Sequence, residues 1–318
     1  MTLGSARPPS IATASRATLR GTWATVLLPL DADNSIDFGR LAEELAVLTT
    51  SAVDGIYTFG TAGEFHAVTE EEYDSVNEAV ARACCRVGKP FQLGASHMSG
   101  DISLERIRRA RMLAPSAIQV ILPDWCGLAD DEVVRAIDGL VGAADPLPIT
   151  LYNPPSAKTR LDPAALGRLA ARFPQLVGVK LAGGDDGWFA AMHEDAPGLP
   201  IFVPGHLLAS GIRRGAAGSY SNVACLSPDG AARWLVSMEQ DPNAAADLER
   251  RINAFFDCHI APLKAAGFAD AALDKTLAHI GAWAPIGTRT RWPYRWVEES
   301  VALSLRSVAR RQLAELFA

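Results

Sequence analysis

Residues 177–184 read Val-Gly-Val-Lys-Leu-Ala-Gly-Gly, an apolar run that a single lysine, Lys180, interrupts. A run of about four to eight apolar residues between turn signals is typical of a buried strand. Burial disfavours the charged form of a lysine, and the neutral amine that results is a nucleophile. Alternatively, Lys180 extends from a strand edge or pairs with Asp185. The segment by itself leaves both interpretations open.

Chain length and composition indicate a globular protein. With 318 residues, of which 49% are hydrophobic and 21% charged, the chain can bury a large core and is not typical of a disordered or coiled-coil protein. The net charge of −6 and the pI near 5.6 do not favour binding to nucleic acid or to an anionic membrane surface. No apolar run reaches the length of about eighteen residues that a membrane-spanning helix needs.

The cysteines and the N-terminal residues give expectations about location. The cysteines are Cys84, Cys85, Cys126, Cys225 and Cys258, and no two of them form a CxxC pair. An odd number without metal-site spacing is typical of reduced thiols in a cytoplasmic protein, and not of a disulfide framework or a zinc site. Residues 1–18 are rich in Ala, Ser, Thr, Arg and Pro and have no continuous apolar core. We therefore predict a flexible leader and not a secretory signal.

Apolar strands alternate with amphipathic helices over residues 19–226. The predicted strands are residues 22–30, 53–59, 91–95, 117–122, 148–152, the run that ends near Lys180, 201–204 and 218–223. Asn34 or Ser35 is expected to cap the first helix, and Thr69 to Glu72 form a capping box for the second. Asp162-Pro163 supplies an N-cap and a first-turn proline for another helix.

This alternation predicts an α/β fold. Strands joined by helical crossovers form a parallel sheet, and eight uniformly apolar strands favour a closed (β/α)8 TIM barrel, with an open doubly wound sheet as the alternative. After Pro228 only helical patterns follow, with breaks at Pro262, Pro285 and Pro293. We predict a flexible leader at 1–18, the barrel at 19–226 and a C-terminal helical bundle at 227–318.

The chemically unusual residues fall at the carboxyl ends of predicted strands. In TIM barrels the working groups occupy those ends and the loops that follow them. Thr61 follows the second strand, Trp125 follows the fourth, Tyr152 ends the fifth, Lys180 ends the sixth and His206 follows the seventh. The pattern predicts a site at this end of the barrel.

Residues 60–64 read Gly-Thr-Ala-Gly-Glu, a small-residue turn that precedes a helical region. Such a turn can expose successive backbone N–H groups to an anion such as a substrate carboxylate, although many glycine-rich turns bind nothing.

Tyr152 begins the segment Tyr-Asn-Pro-Pro at a strand end. A tyrosine beside a neutral lysine can relay protons, whereas a half-buried core tyrosine with a satisfied hydroxyl is the alternative. Because the fifth and sixth strands are neighbours in a barrel, we expect Tyr152 and Lys180 to face one another across one ladder.

Three segments in this order resemble one family. GTAGE at 60–64, YNPP at 152–155 and GVKLAGGD at 178–185 are similar to segments of the dihydrodipicolinate synthase and N-acetylneuraminate lyase family of class I aldolases. The similarity extends from about residue 21 to 228, and supporting segments lie at 28–30 and 215–221. It implies a (β/α)8 barrel, a homotetramer built as a dimer of dimers, and a Schiff base between Lys180 and a 2-keto acid such as pyruvate.

The resemblance also implies roles for individual residues. Tyr152 is similar to the family's proton-relay tyrosine. Thr61, Ala62 and Gly63, which follow Gly60, match its carboxylate-binding loop, and Ala62 offers a backbone N–H where many members add a second hydroxyl. The resemblance implies neither a metal nor an organic cofactor, because the protonated imine itself accepts electrons.

The departures from the family bear on the substrate. The synthases carry an arginine after the YNxP motif to hold the second substrate, and its place here falls on Ala157; the neighbouring Lys158 lacks the guanidinium fork. Trp125 stands where that subfamily has relay hydroxyls, and Tyr220 where the family usually has a small aliphatic residue. We therefore expect a remodelled pocket.

Histidines are further candidates for the site. His206 lies where other members place a polar group for the distal part of a sugar acid, and it is expected to bind a substrate hydroxyl or to act as an acid–base partner. His97 and His66 are weaker candidates, since a lone histidine in a loop is usually solvated.

These features predict a Schiff-base lyase, either an aldolase or a dehydratase, for pyruvate or a 2-keto-3-deoxy sugar acid. One alternative is an authentic 4-hydroxy-tetrahydrodipicolinate synthase, which condenses pyruvate with aspartate semialdehyde. Another is a keto-acid binding or sensing protein with weakened catalysis, suggested by the missing hydroxyl at Trp125. The expected partner in each case is a small keto acid.

Overall fold

The computed structural model describes residues 11–318, and eight parallel strands within them close into a barrel. Each strand pairs with the next along the chain, and β8 pairs with β1. The strands are β1 (Gly21–Thr25), β2 (Gly55–Tyr57), β3 (Phe91–Gly94), β4 (Ala117–Val120), β5 (Ile149–Tyr152), β6 (Leu176–Lys180), β7 (Ile201–Pro204) and β8 (Gly218–Tyr220). The predicted (β/α)8 barrel is confirmed, and the doubly wound alternative is wrong.

Helices surround the barrel and continue beyond it. Those between and directly after the strands are α1 (Phe38–Thr50), α2 (Glu70–Val87), α3 (Gly100–Ala110), α4 (Asp130–Ala144), α5 (Pro163–Arg172), α6 (Asp186–Asp195), α7 (Leu208–Arg213) and α8 (Asn222–Leu226). The remaining ones are α9 (Pro228–Gln240), α10 (Pro242–His259), α11 (Ala261–Ala265), α12 (Asp270–Gly281) and α13 (Glu299–Gln312). The predicted C-terminal helices are therefore present, with α9 packed against β1 and α7.

Helix starts agree with the predicted capping signals except at α1. Thr69 and Glu72 form the predicted capping box of α2, and Asp162 caps α5. In contrast, α1 is capped by Asp37, whose side chain accepts from the amides of Gly39 and Arg40. The prediction of Asn34 or Ser35 as this cap is wrong. Leu30 and Ile36 form a short antiparallel bridge, so the chain between them forms a turn and the helix begins only after it.

The strands are shorter than the apolar runs that predicted them. Residues 26–30 stay buried after β1 ends at Thr25, but they lie outside the sheet. Side chains thus stay buried beyond the last hydrogen-bonded pair of the strand. An apolar run in the sequence predicts which residues are buried, and not where the strand ends.

An irregularity interrupts the pairing of β5 with β6. Ile149 lies opposite Leu176, but Thr150 lies opposite Gly178, so that Val177 is an extra residue on β6. Beyond this β-bulge the register continues regularly to the pair Tyr152–Lys180.

The residues before β1 pack against the amino-terminal end of the barrel. The Arg16 guanidinium donates to the carbonyl oxygens of Leu176 at 2.9 Å and Ala170 at 2.7 Å, and the Ala14 amide donates to Ser116 O at 2.8 Å. The expectation of a flexible leader over 1–18 therefore does not fit residues 14–18, and its first ten residues lie outside the described part of the chain. Within residues 11–318, no helix is long and apolar enough to cross a membrane.

Candidate active site

A cavity of about 760 Å³ opens at the carboxyl end of the barrel strands. Its floor and walls come from strand ends and the loops after them, including Lys180, Tyr152 and Thr61. The opposite wall comes from the C-terminal helices, chiefly α10 and α12. The site is therefore built between the barrel and the helical region that follows it.

Lys180 ends β6 and projects among three tyrosine rings. Its Nζ lies 4.1 Å from the ring centroid of Tyr152, 5.1 Å from that of Tyr57 and 5.4 Å from that of Tyr220. Burial lowers the pKa of Lys180 from 10.5 to about 8, although nearby Asp274 acts in the opposite direction. At pH 7 about a tenth of such amines are neutral, roughly 300 times the fraction of an ordinary lysine.

Tyr152 lies directly opposite Lys180 on the adjacent strand. The prediction that these two residues face one another across one ladder is confirmed. Burial raises the pKa of the Tyr152 phenol, and the neighbouring Thr61 hydroxyl acts in the opposite direction. Tyr152 is thus protonated near neutral pH and in contact with a second hydroxyl, as a relay between donors and acceptors requires.

The turn that follows β2 brings small residues close to the lysine. A Cβ added at Gly60 would lie 3.7 Å from Lys180 Nζ and 2.9 Å from the Tyr57 ring, so glycine leaves space open beside the lysine. Thr61 and Ala62 line the cavity, and no hydrogen bond from the amide of either residue is found within residues 11–318. These amides are therefore available to an anion.

Gly63 contributes by its shape and not by contact with the cavity. A Cβ there would lie 2.8 Å from the backbone nitrogen of Phe59, which only a shift of the chain could relieve. The following residue, Glu64, has a φ of 55° and is buried.

Tyr220 belongs to a buried polar layer beneath the lysine. Its hydroxyl donates to Gln92 Oε1 at 2.6 Å, and Thr150 donates to the same oxygen at 3.1 Å. Burial raises the pKa of Tyr220 to about 12. The phenol expected to remodel the pocket thus narrows its floor and remains neutral.

His206 lies at the distal side of the cavity, and neighbouring side chains fix its ring. Asn222 Nδ2 donates to His206 Nδ1 at 2.8 Å, and Asn253 holds the His206 carbonyl at 3.1 Å. Burial lowers the pKa of His206, so the ring is neutral and leaves Nε2–H to donate.

Several residues considered from the sequence do not line this cavity. Trp125 is 72% exposed, and its ring lies 5.2 Å from Lys158 Nζ on the outer surface. Ala157 lies beside Asn153 at a small depression of about 10 Å³ behind Tyr152. The loop after β4 instead contacts the loop after β5, where the Lys158 amide donates to Asp124 Oδ1 at 2.7 Å and Lys158 Nζ donates to Trp125 O. We therefore leave Trp125 out of the proposed site.

The two weaker histidine candidates, His97 and His66, also lie outside this cavity. The His97 ring accepts from the Ser99 amide at 3.0 Å near the start of α3, and the His66 ring lies 5.0 Å from that of Tyr294. Within residues 11–318, no group of three His, Cys, Asp or Glu side chains is placed to hold a metal ion.

Two residues of the cavity had no signal at the sequence level. Asp274 on α12 and Cys225 on α8 both face Lys180. Asp270, Leu273, Asp274 and Leu277 recur at helical spacing, which predicts one face of a helix. The spacing does not predict which part of the protein this helix face contacts, because that depends on how the C-terminal helices fold back over the barrel.

Curated relatives match parts of the chain. A 4-hydroxy-tetrahydrodipicolinate synthase of Thermomicrobium roseum is 32% identical over 139 residues, which are 43% of this chain and 45% of the relative. A protein of Halobacterium salinarum named an uncharacterized DapA-like lyase is 29% identical over 216 residues, 66% of this chain and 69% of the relative. The chain spans about half the length of most of the curated relatives it matches.

Solved structures are similar over nearly the whole chain. YagE, a prophage protein of E. coli K12 solved in complex with pyruvate, superimposes with a TM-score of 0.80 at 19% identity and covers 92% of this chain and 98% of its own. CdNal of Clostridium difficile, in complex with mannosamine, gives a TM-score of 0.79 at 16% identity over 94% and 99% of the chains. At such low identity the likeness shows the fold.

A model of the dihydrodipicolinate synthetase family matches residues 18–307. This range includes the barrel, the Thr61 turn, the Tyr152–Lys180 pair and most of the C-terminal helices. The chain belongs to the dihydrodipicolinate synthetase family.

Proposed function

We propose that the protein is a Schiff-base lyase, an aldolase or a dehydratase, that acts on pyruvate or a 2-keto-3-deoxy sugar acid. The pairing of Tyr152 with Lys180 carries this proposal, because it sets a lysine of lowered pKa beside a phenol at the carboxyl end of a barrel. The lysine attacks the ketone carbon, water leaves, and the protonated imine draws electrons from the neighbouring carbon.

The substrate is held along the cavity in this proposal. Its carboxylate binds the free amides of the turn at Thr61 and Ala62, and its ketone carbon meets Lys180 Nζ. Tyr152 passes protons to and from the oxygen that leaves as water. The remaining volume extends toward His206 and accommodates a polar chain longer than that of pyruvate.

Reductive trapping tests the covalent step. The protein is mixed with pyruvate or with 2-keto-3-deoxy acids, borohydride is added, and intact mass and peptide mapping locate the adduct. We expect one adduct, on Lys180, that Lys180→Ala abolishes and Lys264→Ala retains. Lys264 is the matched control because it lines the same cavity but is 66% exposed and pairs with Asp270 at 3.0 Å. No adduct with any keto acid, or one that survives Lys180→Ala, would refute the proposal.

A second candidate is an authentic 4-hydroxy-tetrahydrodipicolinate synthase, favoured by the name of the Thermomicrobium roseum relative. Ala157 and the solvent-exposed Trp125 disfavour this synthase activity, because neither side chain supplies a charged or hydroxyl group for a second substrate. A coupled assay with pyruvate and aspartate semialdehyde distinguishes the two. Keto-acid adducts without any turnover would instead favour a binding protein.

The proposal includes a homotetramer, for which light scattering should give four times the 33.8 kDa chain mass.

A further inference from the structure

Asp274 is an acidic side chain in the same cavity as Lys180 to which the proposed chemistry gives no role. It lies one turn into α12, the helix that forms the cavity wall opposite the strand ends. Part of its surface is open to the cavity, whereas the protein surrounds its carboxyl on the other sides. The cavity has two further carboxyls, Asp257 and Asp270, and both are exposed. Asp274 is therefore the inner carboxyl of the three.

Charged and titratable groups from several elements face Asp274. Lys180 of β6 and Lys264 of α11 are cations, Asp270 is an anion one turn earlier on α12, and the Cys225 thiol of α8 lies beside the carboxyl. The phenols of Tyr57 on β2 and Tyr152 on β5 also respond to its charge.

Burial and Asp270 together raise the pKa of Asp274 to about 7, and the two lysines act in the opposite direction. Near neutral pH both forms of the carboxyl are populated, which is the condition for efficient proton transfer in either direction.

The chemistry after imine formation requires such a group. Once Lys180 is bonded to the keto acid, its nitrogen is no longer a base. Burial raises the pKa of Tyr152, so that its phenol is a poor base at neutral pH. Trp125 lies on the outer surface and carries no hydroxyl. Among the described residues, Asp274 is the group that lies near Lys180 and is partly ionised at neutral pH.

We propose that Asp274 moves the proton at C3 of the keto acid bound to Lys180, an inference that rests on the proposed Schiff-base function. The carboxylate takes the proton from C3, and the C–H electron pair becomes the C2–C3 double bond. The π pair of the carbon–nitrogen double bond moves to nitrogen and neutralises the iminium. The products are an enamine and a neutral carboxyl, and return of the proton reverses the step.

Pyruvate in D2O provides a test that does not depend on the natural substrate. Enamine formation exchanges the methyl protons of pyruvate for deuterium, and proton NMR follows the loss of the methyl signal. We expect Asp274→Asn to retain the borohydride adduct but to slow exchange about 100-fold or more, the usual contribution of a positioned acid–base group. Asp274→Glu should recover part of the rate.

Asp247→Asn is the matched control. Asp247 also lies on a C-terminal helix, but it faces solvent and pairs with Arg251 at 2.9 Å, so this variant should exchange at the wild-type rate. At saturating pyruvate, the wild-type rate should rise with pH until about 7 and then level, because the carboxylate is the reactive form. Asp274→Asn should lose this rise.

Each outcome has a defined meaning. Wild-type exchange in Asp274→Asn, or a pH rise that persists in it, would overturn the inference while leaving the proposed function intact. An Asp274→Asn protein that is folded but forms no adduct would assign Asp274 to imine formation and also overturn it. A wild-type protein that forms no adduct overturns the proposed function, and this inference with it.

Discussion

Lys275 Nζ lies 2.5 Å from Glu64 Oε1, and both side chains are almost completely buried, with exposures of 0% and 1%. Lys275 also donates to Arg289 O at 2.6 Å, and Glu64 Oε2 accepts from the Arg291 amide at 2.7 Å. The pair joins α12, which carries Asp274, to the turn that carries Thr61. The two sides of the cavity are thus connected by one desolvated ion pair.

Lys275→Met should strongly destabilise the protein. Removing one partner of a buried ion pair leaves an uncompensated charge and costs about 3–5 kcal/mol. Urea denaturation measures this loss as a lower midpoint. Arg82→Met is the control, since Arg82 and its partner Glu78 are 70% and 55% exposed, and it should cost at most about 1 kcal/mol. Equal losses of stability in Lys275→Met and Arg82→Met would contradict the expectation that the buried pair stabilises the fold more than the exposed one.

Tyr152→Phe should slow adduct formation with pyruvate by about 10²–10⁴-fold, because the variant removes the hydroxyl that passes protons during imine formation. The initial rate of reductive trapping measures this effect. Tyr73→Phe provides a matched control, since the Tyr73 hydroxyl is buried within α2 without a hydrogen-bond partner among residues 11–318. Its trapping rate should equal that of the wild type, and a comparable loss in both variants would argue against a relay at Tyr152.

The rate of adduct formation should depend on pH through Lys180. Its folded-state pKa is lowered to about 8, so that the fraction of reactive neutral amine rises about tenfold per pH unit below 8 and levels above it. Trapping with cyanoborohydride at low pyruvate concentration, from pH 6 to 10, measures this profile. An ordinary lysine would give a rate that still increases toward about pH 10.4. A profile of that second kind would contradict the desolvation of Lys180.

Gly60→Ala should impair the site without a large effect on the fold. The added Cβ would lie 2.9 Å from the buried Tyr57 ring and 3.7 Å from Lys180 Nζ, so the turn or the ring must shift. A displacement of about 1 Å near a reacting group can cost about 10²-fold in rate.

Gly142→Ala is the corresponding control. An added Cβ there has no atom within 4 Å, and the position is inside α4. This variant should trap pyruvate at the wild-type rate and gain about 0.5–1 kcal/mol of stability from the better helix former. If Gly60→Ala also trapped at the wild-type rate, the space beside the lysine would be unimportant.

The barrel could be predicted from the sequence because eight strand-like segments, most of them largely apolar, are each followed by a helical pattern. The pairing of Tyr152 with Lys180 followed from the same order, since consecutive strands of such a barrel are neighbours. Individual strand ends were less predictable. Residues 26–30, for example, are as apolar as a strand and are buried, but they lie outside the eight barrel strands.

The wall of the cavity opposite the strand ends could not be predicted in the same way. Asp274 lies nearly a hundred positions from Lys180, and its proximity depends on α12 folding back over the barrel. The ion pair that holds it there joins Glu64 to Lys275, which are 211 positions apart. Local patterns carry no information about such distant contacts.

Trp125 is a residue for which the sequence predicted a place in the pocket that the structure does not show. Its position after a barrel strand predicted a pocket residue, whereas the loop directs its side chain to solvent.

The additional residue on β6 determines which side chain the phenol of Tyr152 meets. If Val177 were paired like its neighbours, a regular ladder starting from the pair Ile149–Leu176 would set Tyr152 opposite Val179. Since alternate residues of a strand point to opposite faces, Lys180 would then be turned out of alignment with Tyr152. The bulge at Val177 therefore brings the lysine and the phenol onto the same rung of the barrel, although neither residue belongs to the bulge.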